Sequence, residues 1–154
     1  MPSVVTVAVV GAGDRGTGHA GWALAHPERA EVVAVAEPRK VRRDRLAADH
    51  GLEAGSTVDD WRVLAARGRI ADAVLICTLD RDHLEPALAF AALGYHIMLE
   101  KPMALTEDEC RRSGGGGEGR SDSRGRSVTR YTPHTQALKR IVDSGRLGEI
   151  VSGP

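Results

Sequence analysis

The sequence predicts an α/β fold, a doubly wound parallel sheet, and three observations support that prediction. Short apolar runs rich in Val, Ile and Ala recur between residues 4 and 99. Segments with helical patterning separate these runs, and most of the segments end near Gly or Pro. The first run passes directly into a glycine-rich turn, GAGDRG, at residues 11–16. Strands that alternate with helices form parallel sheets with right-handed crossovers, and the helices then cover both faces.

The predicted elements follow this alternation in order. Residues 4–10 are apolar on both faces, as a buried parallel strand requires, and a helix over residues 14–26 ends before Pro27. Further strands are predicted at residues 31–36, 56–57, 71–78 and 95–99. Further helices are predicted at residues 38–50, from Asp59 or Asp60 to 67, at 82–93 and from Thr106 to 112. Thr106 and Glu109 have the spacing of a capping box, which marks the start of the last helix.

The composition is that of one globular domain, and it excludes several function classes. The chain has 154 residues, of which 42% are hydrophobic and 3% aromatic, so a core must be built from Ala, Val, Leu and Ile. Lys plus Arg and Asp plus Glu each number 21, which leaves no net charge to attract nucleic acid or an anionic membrane. No signal-peptide pattern is present, and residues 4–10 are too short to span a bilayer, so a cytoplasmic protein is expected. The cysteines and histidines have no metal-ligand spacing, so no metal site is predicted, and most histidines are expected at the surface or hydrogen-bonded internally.

The turn GAGDRG indicates a phosphate-binding site. Gly11, Gly13 and Gly16 have the spacing G-x-G-x-x-G, directly after a strand and at the start of a helix. In this setting the first glycine permits the tight turn, the second lets the backbone approach a pyrophosphate, and the third lets helix and strand pack closely. Free N–H groups at the helix start, around Asp14 and Arg15, would bind the anion. The turn therefore predicts a dinucleotide as the ligand, although glycines with this spacing could also serve a tight strand-to-helix turn that binds nothing.

Glu37 is the predicted partner of the adenosine ribose. It ends the second predicted strand about 20 residues beyond Gly16, where an acid can accept hydrogen bonds from the ribose hydroxyls. A carboxylate there would repel a 2′-phosphate, so NAD is favoured over NADP. Arg39 weakens this preference because an arginine can pair with that phosphate, and NADP stays an alternative. Glu37 could instead be a solvated loop acid that binds nothing.

A further set of motifs resembles a known family. The stretch MLEKPMALTEDEC at residues 98–110, together with GAGDRG, VAEPR at 35–39 and ICTLDRDH at 76–83, resembles the Gfo/Idh/MocA family of oxidoreductases. That family is named for glucose-fructose oxidoreductase and inositol dehydrogenase. The resemblance implies a Rossmann-type dinucleotide-binding domain over residues 1–112. Residues 128–154 resemble the family's crossing helix and the first strand of a second α+β domain.

The resemblance also implies roles for single residues. In the family the lysine of E-K-P lies beside the nicotinamide and substrate, so Lys101 is the expected catalytic residue, and Glu100 is expected to orient it or to contact the ribose side. An ammonium withdrawn from water beside a cationic nicotinamide can exchange the proton of a substrate hydroxyl. Lys101 could instead be an exposed lysine at a strand end. Thr78 and His83 are expected along the nicotinamide ribose, although His83 could equally face water in the first turn of a helix. Pro102 is expected to fix the turn, and a cis bond there is left open.

Two functions are compatible with this pattern. The first is an NAD(P)-dependent oxidoreductase that transfers hydride between the nicotinamide and a sugar, cyclitol or related polyol. The second is a truncated, non-catalytic nucleotide-binding fragment. The resemblance makes the second plausible because a family enzyme is much longer, and its second domain usually carries an Asp and a His that complete proton transfer. No residue of this chain replaces them by motif, and oligomerisation is expected only with that domain.

Residues 113–127, SGGGGEGRSDSRGRS, depart from the family pattern. The family has an amphipathic helix and an apolar strand here, whereas this segment contains no apolar residue. Such a composition predicts a flexible polar loop with neither core helix nor buried strand. A compensated frameshift in a GC-rich gene would explain the change, and a genuine linker is the alternative. A nucleic-acid-binding tail is disfavoured because the segment has no aromatic residue on which a base could stack.

Overall fold

One parallel sheet with helices packed on it forms the described part of the chain. The computed structural model describes residues 3–114, 123–125, 133–146 and 148. The strands are β1 (Val5–Val10), β2 (Ala30–Ala36), β3 (Thr57–Val58), β4 (Ala73–Ile76), β5 (His96–Leu99) and β6 (Ser123–Gly125). The helices are α1 (Asp14–Ala25), α2 (Lys40–Asp49), α3 (Trp61–Ala65), α4 (Leu84–Ala92), α5 (Glu107–Gly114) and α6 (Pro133–Asp143). Short 3-10 turns lie at Ala54–Ser56 and Asp80–Asp82.

The strand order is β3-β2-β1-β4-β5-β6, and every neighbouring pair is parallel. Strands β1, β2 and β3 therefore follow one another from the middle of the sheet to one edge. The chain then returns to the middle, and β4, β5 and β6 follow one another to the other edge. This reversal confirms the predicted doubly wound sheet. It also leaves a crevice outside the carboxyl ends of β1 and β4, which is where open α/β sheets bind their ligands.

Two apolar layers cover the faces of the sheet. One layer contains Leu64, Phe90 and Tyr95. The rings of Phe90 and Tyr95 meet edge to face with their centroids 5.1 Å apart. The other is built from small aliphatic residues around Val9 and Leu46. The prediction of a core made mainly from Ala, Val, Leu and Ile is confirmed. The buried hydroxyl of Tyr95 is also satisfied, because it donates to the Gly68 carbonyl and accepts from the Ile70 amide.

The helix boundaries agree with the capping signals in the sequence. Asp60 caps α3 by accepting a hydrogen bond from the Arg62 amide at 2.9 Å. Thr106 and Glu109 form the predicted capping box, in which each side chain accepts a hydrogen bond from the other residue's amide.

Several elements are shorter than predicted. The helix predicted from residue 38 begins at Lys40, α3 ends at Ala65, and the strand predicted over 71–78 is confined to Ala73–Ile76.

The segment predicted to lack helix and strand differs in the structure. Helix α5 continues through Gly114, and β6 pairs with Ile97–Leu99 of β5. The physical reason is that an open strand edge presents unpaired N–H and C=O groups, and any residue except proline can satisfy these through its own backbone. The polar composition keeps the side chains of this segment out of a core, but it does not prevent the backbone from pairing with β5. Residues 115–122 and 126–132, and the strand expected after the crossing helix within residues 128–154, lie outside the described residues. The domain boundaries and the frameshift thus stay predictions.

Within the described residues, no helix is both long and apolar enough to cross a membrane.

Candidate functional site

A cleft of about 1100 Å³ opens at the carboxyl ends of β1 and β4. Two groups of predicted site residues line it. The glycine-rich turn contributes Gly11, Gly13, Asp14 and Arg15, and the strand ends contribute Glu37, Arg39 and Thr78. Ligand pockets for small molecules and cofactors have volumes of about 300–1,000 Å³, so a dinucleotide can be accommodated. The predicted residues Gly16, His83, Glu100 and Lys101 lie outside the set that lines this cleft.

Gly11 and Gly16 are required by packing. Gly11 has φ +95°, and a Cβ atom built on it would lie 2.5 Å from the carbonyl oxygen of Cys77. A Cβ atom on Gly16 would lie 1.9 Å from the carbonyl oxygen of Gly11. Both contacts are with backbone atoms, so no side-chain movement relieves them. These two glycines allow α1 to start against the ends of β1 and β4.

Gly13 is not required by packing in the same way. Its φ is −74°, which any residue can adopt, and a Cβ atom there would meet only Nη1 of Arg42, at 3.6 Å. Gly13 is the N-cap of α1 and provides no side-chain cap, so the first amide groups of the helix keep no acceptor within the helix. Open backbone next to free amides at the positive end of a helix dipole suits a diphosphate. The turn therefore fits a dinucleotide.

Glu37 is fixed at the end of β2. Its side chain is buried, and Oε2 accepts a hydrogen bond from the Ala12 amide at 2.8 Å while Oε1 accepts one from the Arg39 amide at 2.9 Å. The interpretation of Glu37 as a solvated loop acid is therefore wrong. Each carboxylate oxygen has a second lone pair, so the group can still accept from ribose hydroxyls.

Glu100 holds the turn that carries Lys101. Its buried carboxylate contacts Nε2 of His19 at 2.7 Å through Oε1, and accepts the Lys101 amide through Oε2 at 3.2 Å. Burial raises the pKa of Glu100, but the hydrogen bonds from His19 and the Lys101 amide, with the charges of His19 and Arg15, outweigh it and leave the pKa below its ordinary value. Glu100 thus orients the Lys101 backbone, while the Lys101 side chain is exposed. The Lys101–Pro102 peptide bond is cis.

His83 lies beneath this turn. His83 is 1% exposed, which shows that the alternative of a water-facing histidine is wrong. Nδ1 lies 2.7 Å from the Pro102 carbonyl and Nε2 lies 3.2 Å from the Thr78 carbonyl. A neutral imidazole has one N–H and donates to one of these carbonyls at a time. His83 connects the end of β4 to the turn after β5 and is placed under the site rather than along its surface.

Comparison with known families decides the classification. The family model GFO_IDH_MocA, described as an oxidoreductase family with an NAD-binding Rossmann fold, matches residues 5–114. The chain belongs to the Gfo/Idh/MocA family. The resemblance noted in the sequence is confirmed, and the described sheet is the NAD-binding Rossmann domain of a Gfo/Idh/MocA protein.

Curated relatives of this Gfo/Idh/MocA chain include inositol 2-dehydrogenases. It is 33% identical to inositol 2-dehydrogenase of Streptomyces avermitilis over 96% of the chain and 43% of the relative. It is 30% identical to inositol 2-dehydrogenase 1 of Saccharopolyspora erythraea over 96% of the chain and 44% of the relative. The chain thus spans less than half the length of these relatives.

Solved structures show the same fold. The WlbA dehydrogenase from Bordetella pertussis, solved with NADH and UDP-GlcNAcA, superposes with a TM-score of 0.85 at 24% identity, over 97% of this chain and 44% of that one. Scyllo-inositol dehydrogenase from Lactobacillus casei, solved with NAD(H) and scyllo-inositol, superposes with a TM-score of 0.83 at 20% identity, over 96% and 43%.

Sequence reasoning missed several residues of this Gfo/Idh/MocA site. Arg42, Trp61 and Arg62 line the cleft, and the Arg62 guanidinium stacks 4.5 Å from the centroid of the Trp61 ring. Arg42 belongs to a helix with many exposed charges, and nothing in its spacing distinguishes it from its neighbours. Trp61 follows the predicted cap residue Asp60, and an aromatic residue at a strand-to-helix turn was the one available signal.

Among the described residues, no group of three His, Cys, Asp or Glu side chains could hold a metal ion.

Proposed function

We propose that the cleft binds a nicotinamide dinucleotide with its diphosphate over the glycine-rich turn and its adenosine ribose at Glu37. The observation that carries this proposal is the difference among the three glycines. Gly11 and Gly16 are needed for packing, whereas Gly13 faces the cleft, where a side chain would meet only the tip of Arg42. Packing therefore does not explain Gly13, but a ligand that approaches the backbone does.

We further propose that the activity of this domain, in the context of its longer relatives, is hydride transfer between the nicotinamide and a cyclitol or related polyol. The inositol 2-dehydrogenases that share 30–33% identity with the chain support this substrate class. When bound, the nicotinamide would supply the hydride acceptor or donor. Lys101 would take or return the proton of the substrate hydroxyl, because its turn follows β5 at the same edge of the sheet as the cleft.

A second candidate is a dinucleotide-binding unit that does not turn over. One observation favours it. The Lys101 side chain is exposed and forms no ion pair with any residue of the described part of the chain. An exposed ammonium keeps its full hydration, so the withdrawal from water that would ease proton exchange has to come from elsewhere.

Calorimetric titration with NAD⁺ tests the binding proposal. We expect saturable binding to the wild-type chain, and at least about tenfold weaker binding to Gly13→Ala because a methyl group separates the backbone from the diphosphate. Gly21→Ala is the matched control, because a Cβ atom at Gly21 meets nothing within 4 Å. It should bind like the wild type. Equal binding by Gly13→Ala and wild type, or no binding by folded wild type, would contradict the proposal.

Turnover separates the two candidates. The rate of formation of reduced nicotinamide is measured with NAD⁺ and myo-inositol, for the wild type and for Lys101→Ala. Turnover that disappears in Lys101→Ala supports the oxidoreductase. Binding of NAD⁺ without turnover in the wild type supports the non-catalytic unit.

A further inference from the structure

The turn that carries Lys101 is held to the rest of the domain by few hydrogen bonds. The Glu100 amide donates to the Ile76 carbonyl at 3.0 Å, which extends the pairing of β5 with β4 by one residue. The Lys101 amide then bonds the carboxylate of its neighbour Glu100, and Pro102 has no N–H to donate. Of the hydrogen bonds that the structure describes, the one that ties Pro102 to another element joins its carbonyl to the His83 ring at 2.7 Å. The place of this turn relative to α4 therefore depends on His83.

His83 is itself firmly placed. It directly precedes α4, and its carbonyl accepts the Ala87 amide of that helix at 3.2 Å. The residue is 1% exposed and lies outside the set that lines the cleft. It thus reaches Lys101 through the backbone of Pro102 and not through a bound ligand.

The two ring nitrogens of His83 differ in how closely they approach an oxygen. Nδ1 lies 2.7 Å from the Pro102 carbonyl, and Nε2 lies 3.2 Å from the Thr78 carbonyl. Hydrogen bonds of the N–H···O type span about 2.7–3.2 Å, and a nitrogen that carries no hydrogen repels an oxygen at the short end of that range. No carboxylate of the described residues pairs with the ring, and a buried charge without such a partner is costly, so the neutral ring is favoured. Its single proton therefore belongs on Nδ1.

We propose that His83 is a positioning residue for Lys101, because its Nδ1–H group donates to the Pro102 carbonyl and so fixes the turn that carries the lysine. This inference rests on the proposed role of Lys101 in proton transfer and adds the residue that sets its location. A group that transfers a proton has to lie within hydrogen-bond reach of the substrate hydroxyl, about 2.6–3.2 Å. A displacement of about 1 Å can lower the rate about a hundredfold. The loss of one hydrogen bond beneath the turn is therefore expected to affect the chemical step.

Nuclear magnetic resonance of the isotope-labelled wild-type chain tests the position of the proton. Long-range proton–nitrogen correlation spectra distinguish a protonated ring nitrogen from an unprotonated one. For His83 at neutral pH we expect a protonated Nδ1 and an unprotonated Nε2, both with and without NAD⁺. A proton on Nε2 would overturn the inference, because the ring would then donate to Thr78 and leave the Pro102 carbonyl without a donor.

Two substitutions distinguish the ring nitrogens. The side-chain amide of His83→Asn places an N–H donor near the position of Nδ1, whereas that of His83→Gln places one near Nε2. Exchange of the Lys101 amide hydrogen with solvent measures how firmly the turn is held. We expect this exchange to be at least about tenfold faster in His83→Gln, and within about threefold of the wild type in His83→Asn. His96→Gln is the matched control, since His96 is exposed at the opposite end of β5, and its Lys101 amide should exchange like that of the wild type.

The amides of Val9 and Val35 serve as internal references for global stability, because both residues are fully buried in the core. Acceleration of the same size at Lys101 and at these two amides would show that His83 only stabilises the fold, and it would overturn the inference. Equal exchange of the Lys101 amide in His83→Asn and His83→Gln would overturn it too, because the two ring positions would then be equivalent.

Turnover of NAD⁺ with myo-inositol provides the kinetic measurement. In His83→Gln we expect kcat to fall at least about tenfold, and in His83→Asn less than about threefold. The KM for the polyol and the dissociation constant of NAD⁺ should change by less than about threefold in both variants, since His83 lies outside the cleft. Equal falls in kcat would overturn the inference and leave the oxidoreductase proposal standing. A wild type that binds NAD⁺ without turnover overturns the oxidoreductase proposal, and the tautomer and the amide exchange then decide whether His83 positions the turn.

Discussion

Nε2 of His19 lies 2.7 Å from Oε1 of Glu100, and this contact joins the phosphate-binding helix α1 to the turn that carries Lys101. Both side chains are largely buried, with 11% and 7% of their surfaces exposed. The other carboxylate oxygen accepts the Lys101 amide, so Glu100 links α1 to the backbone of the expected catalytic residue. A carboxylate with these partners is favoured in its ionised form, and that preference makes the stability of the fold depend on pH.

The first prediction concerns this pH dependence. Because the pKa of Glu100 is lowered in the fold, its contribution to stability is fully present above the unfolded value of about 4.3 and is lost as pH falls through the folded value. In Glu100→Gln no such ionisation remains. The difference in unfolding free energy between wild type and Glu100→Gln should therefore shrink as pH falls below about 4. Urea unfolding followed by circular dichroism, repeated at several pH values, measures it.

His19→Ala provides the second arm of that experiment. It removes the main hydrogen bond that keeps Glu100 ionised, so its difference from wild type should also shrink in acid. Asp72 has a lowered pKa too, mainly through its hydrogen bonds from Thr6, but it is present in every variant and its effect cancels. A difference from wild type that stays constant from neutral pH to acid in both variants would show that the pair does not act through ionisation.

The second prediction concerns packing at the glycine-rich turn. Gly16→Ala places a methyl group into the Gly11 carbonyl oxygen, and only a backbone shift can relieve the overlap. We expect the free energy of unfolding to fall by about 1–3 kcal/mol. Gly21→Ala, on the same helix and with open space around it, should instead gain up to about 1 kcal/mol from better helix propensity. Urea denaturation of the two variants side by side checks the sign as well as the size.

The features that the sequence predicted well are those with local causes. The strands follow from β-branched apolar runs, the starts of α3 and α5 follow from capping side chains, and Glu37 follows from its distance to the glycine-rich turn. Each signal is complete within a few residues, or within one strand–helix–strand unit. Right-handed crossovers then place helices on both faces of the sheet.

The features that could not be predicted depend on residues distant in sequence. His19 and Glu100 are separated by 81 positions, and no local pattern marks the histidine as a partner of that carboxylate. His83 occupies a helix start, where polar residues are usually exposed, yet two carbonyls from separate turns enclose it. Strand β6 forms because β5 offers an open edge, which is a property of the partner rather than of the segment SRG itself.

The third prediction separates binding from proton transfer. Lys101 is exposed and lies outside the residues that line the cleft, so Lys101→Ala should change the NAD⁺ dissociation constant by less than about threefold. Glu37→Ala should weaken NAD⁺ binding by about tenfold or more, because it removes the ribose acceptor and frees the Ala12 and Arg39 amides. Calorimetric titration of both variants measures this contrast. Strongly weakened binding in Lys101→Ala would place the lysine in the dinucleotide site itself.

The fourth prediction is that the chain is only marginally stable and that a dinucleotide raises its melting temperature. Three large apolar side chains of α6, Leu138, Ile141 and Val142, are between 37% and 50% exposed. The core is built largely from small aliphatic residues, so little burial compensates for this exposure. A ligand that binds only the folded state stabilises it by about 2.7 kcal/mol at a hundred times its dissociation constant, which corresponds to about 5–10 °C.

Thermal unfolding of the wild type and Gly13→Ala, each with and without NAD⁺, measures this effect. Gly13 has a φ of −74° and open space around it. The melting temperature of the ligand-free variant should therefore be close to that of the ligand-free wild type. The variant should show a smaller shift with NAD⁺, since it lacks the close approach of backbone to diphosphate. A cooperative transition above about 60 °C in the ligand-free wild type would contradict the marginal stability, because that is the upper range for ordinary mesophilic domains. Equal shifts in the two proteins would contradict the role of Gly13, because stabilisation by a ligand follows directly from its affinity for the folded state.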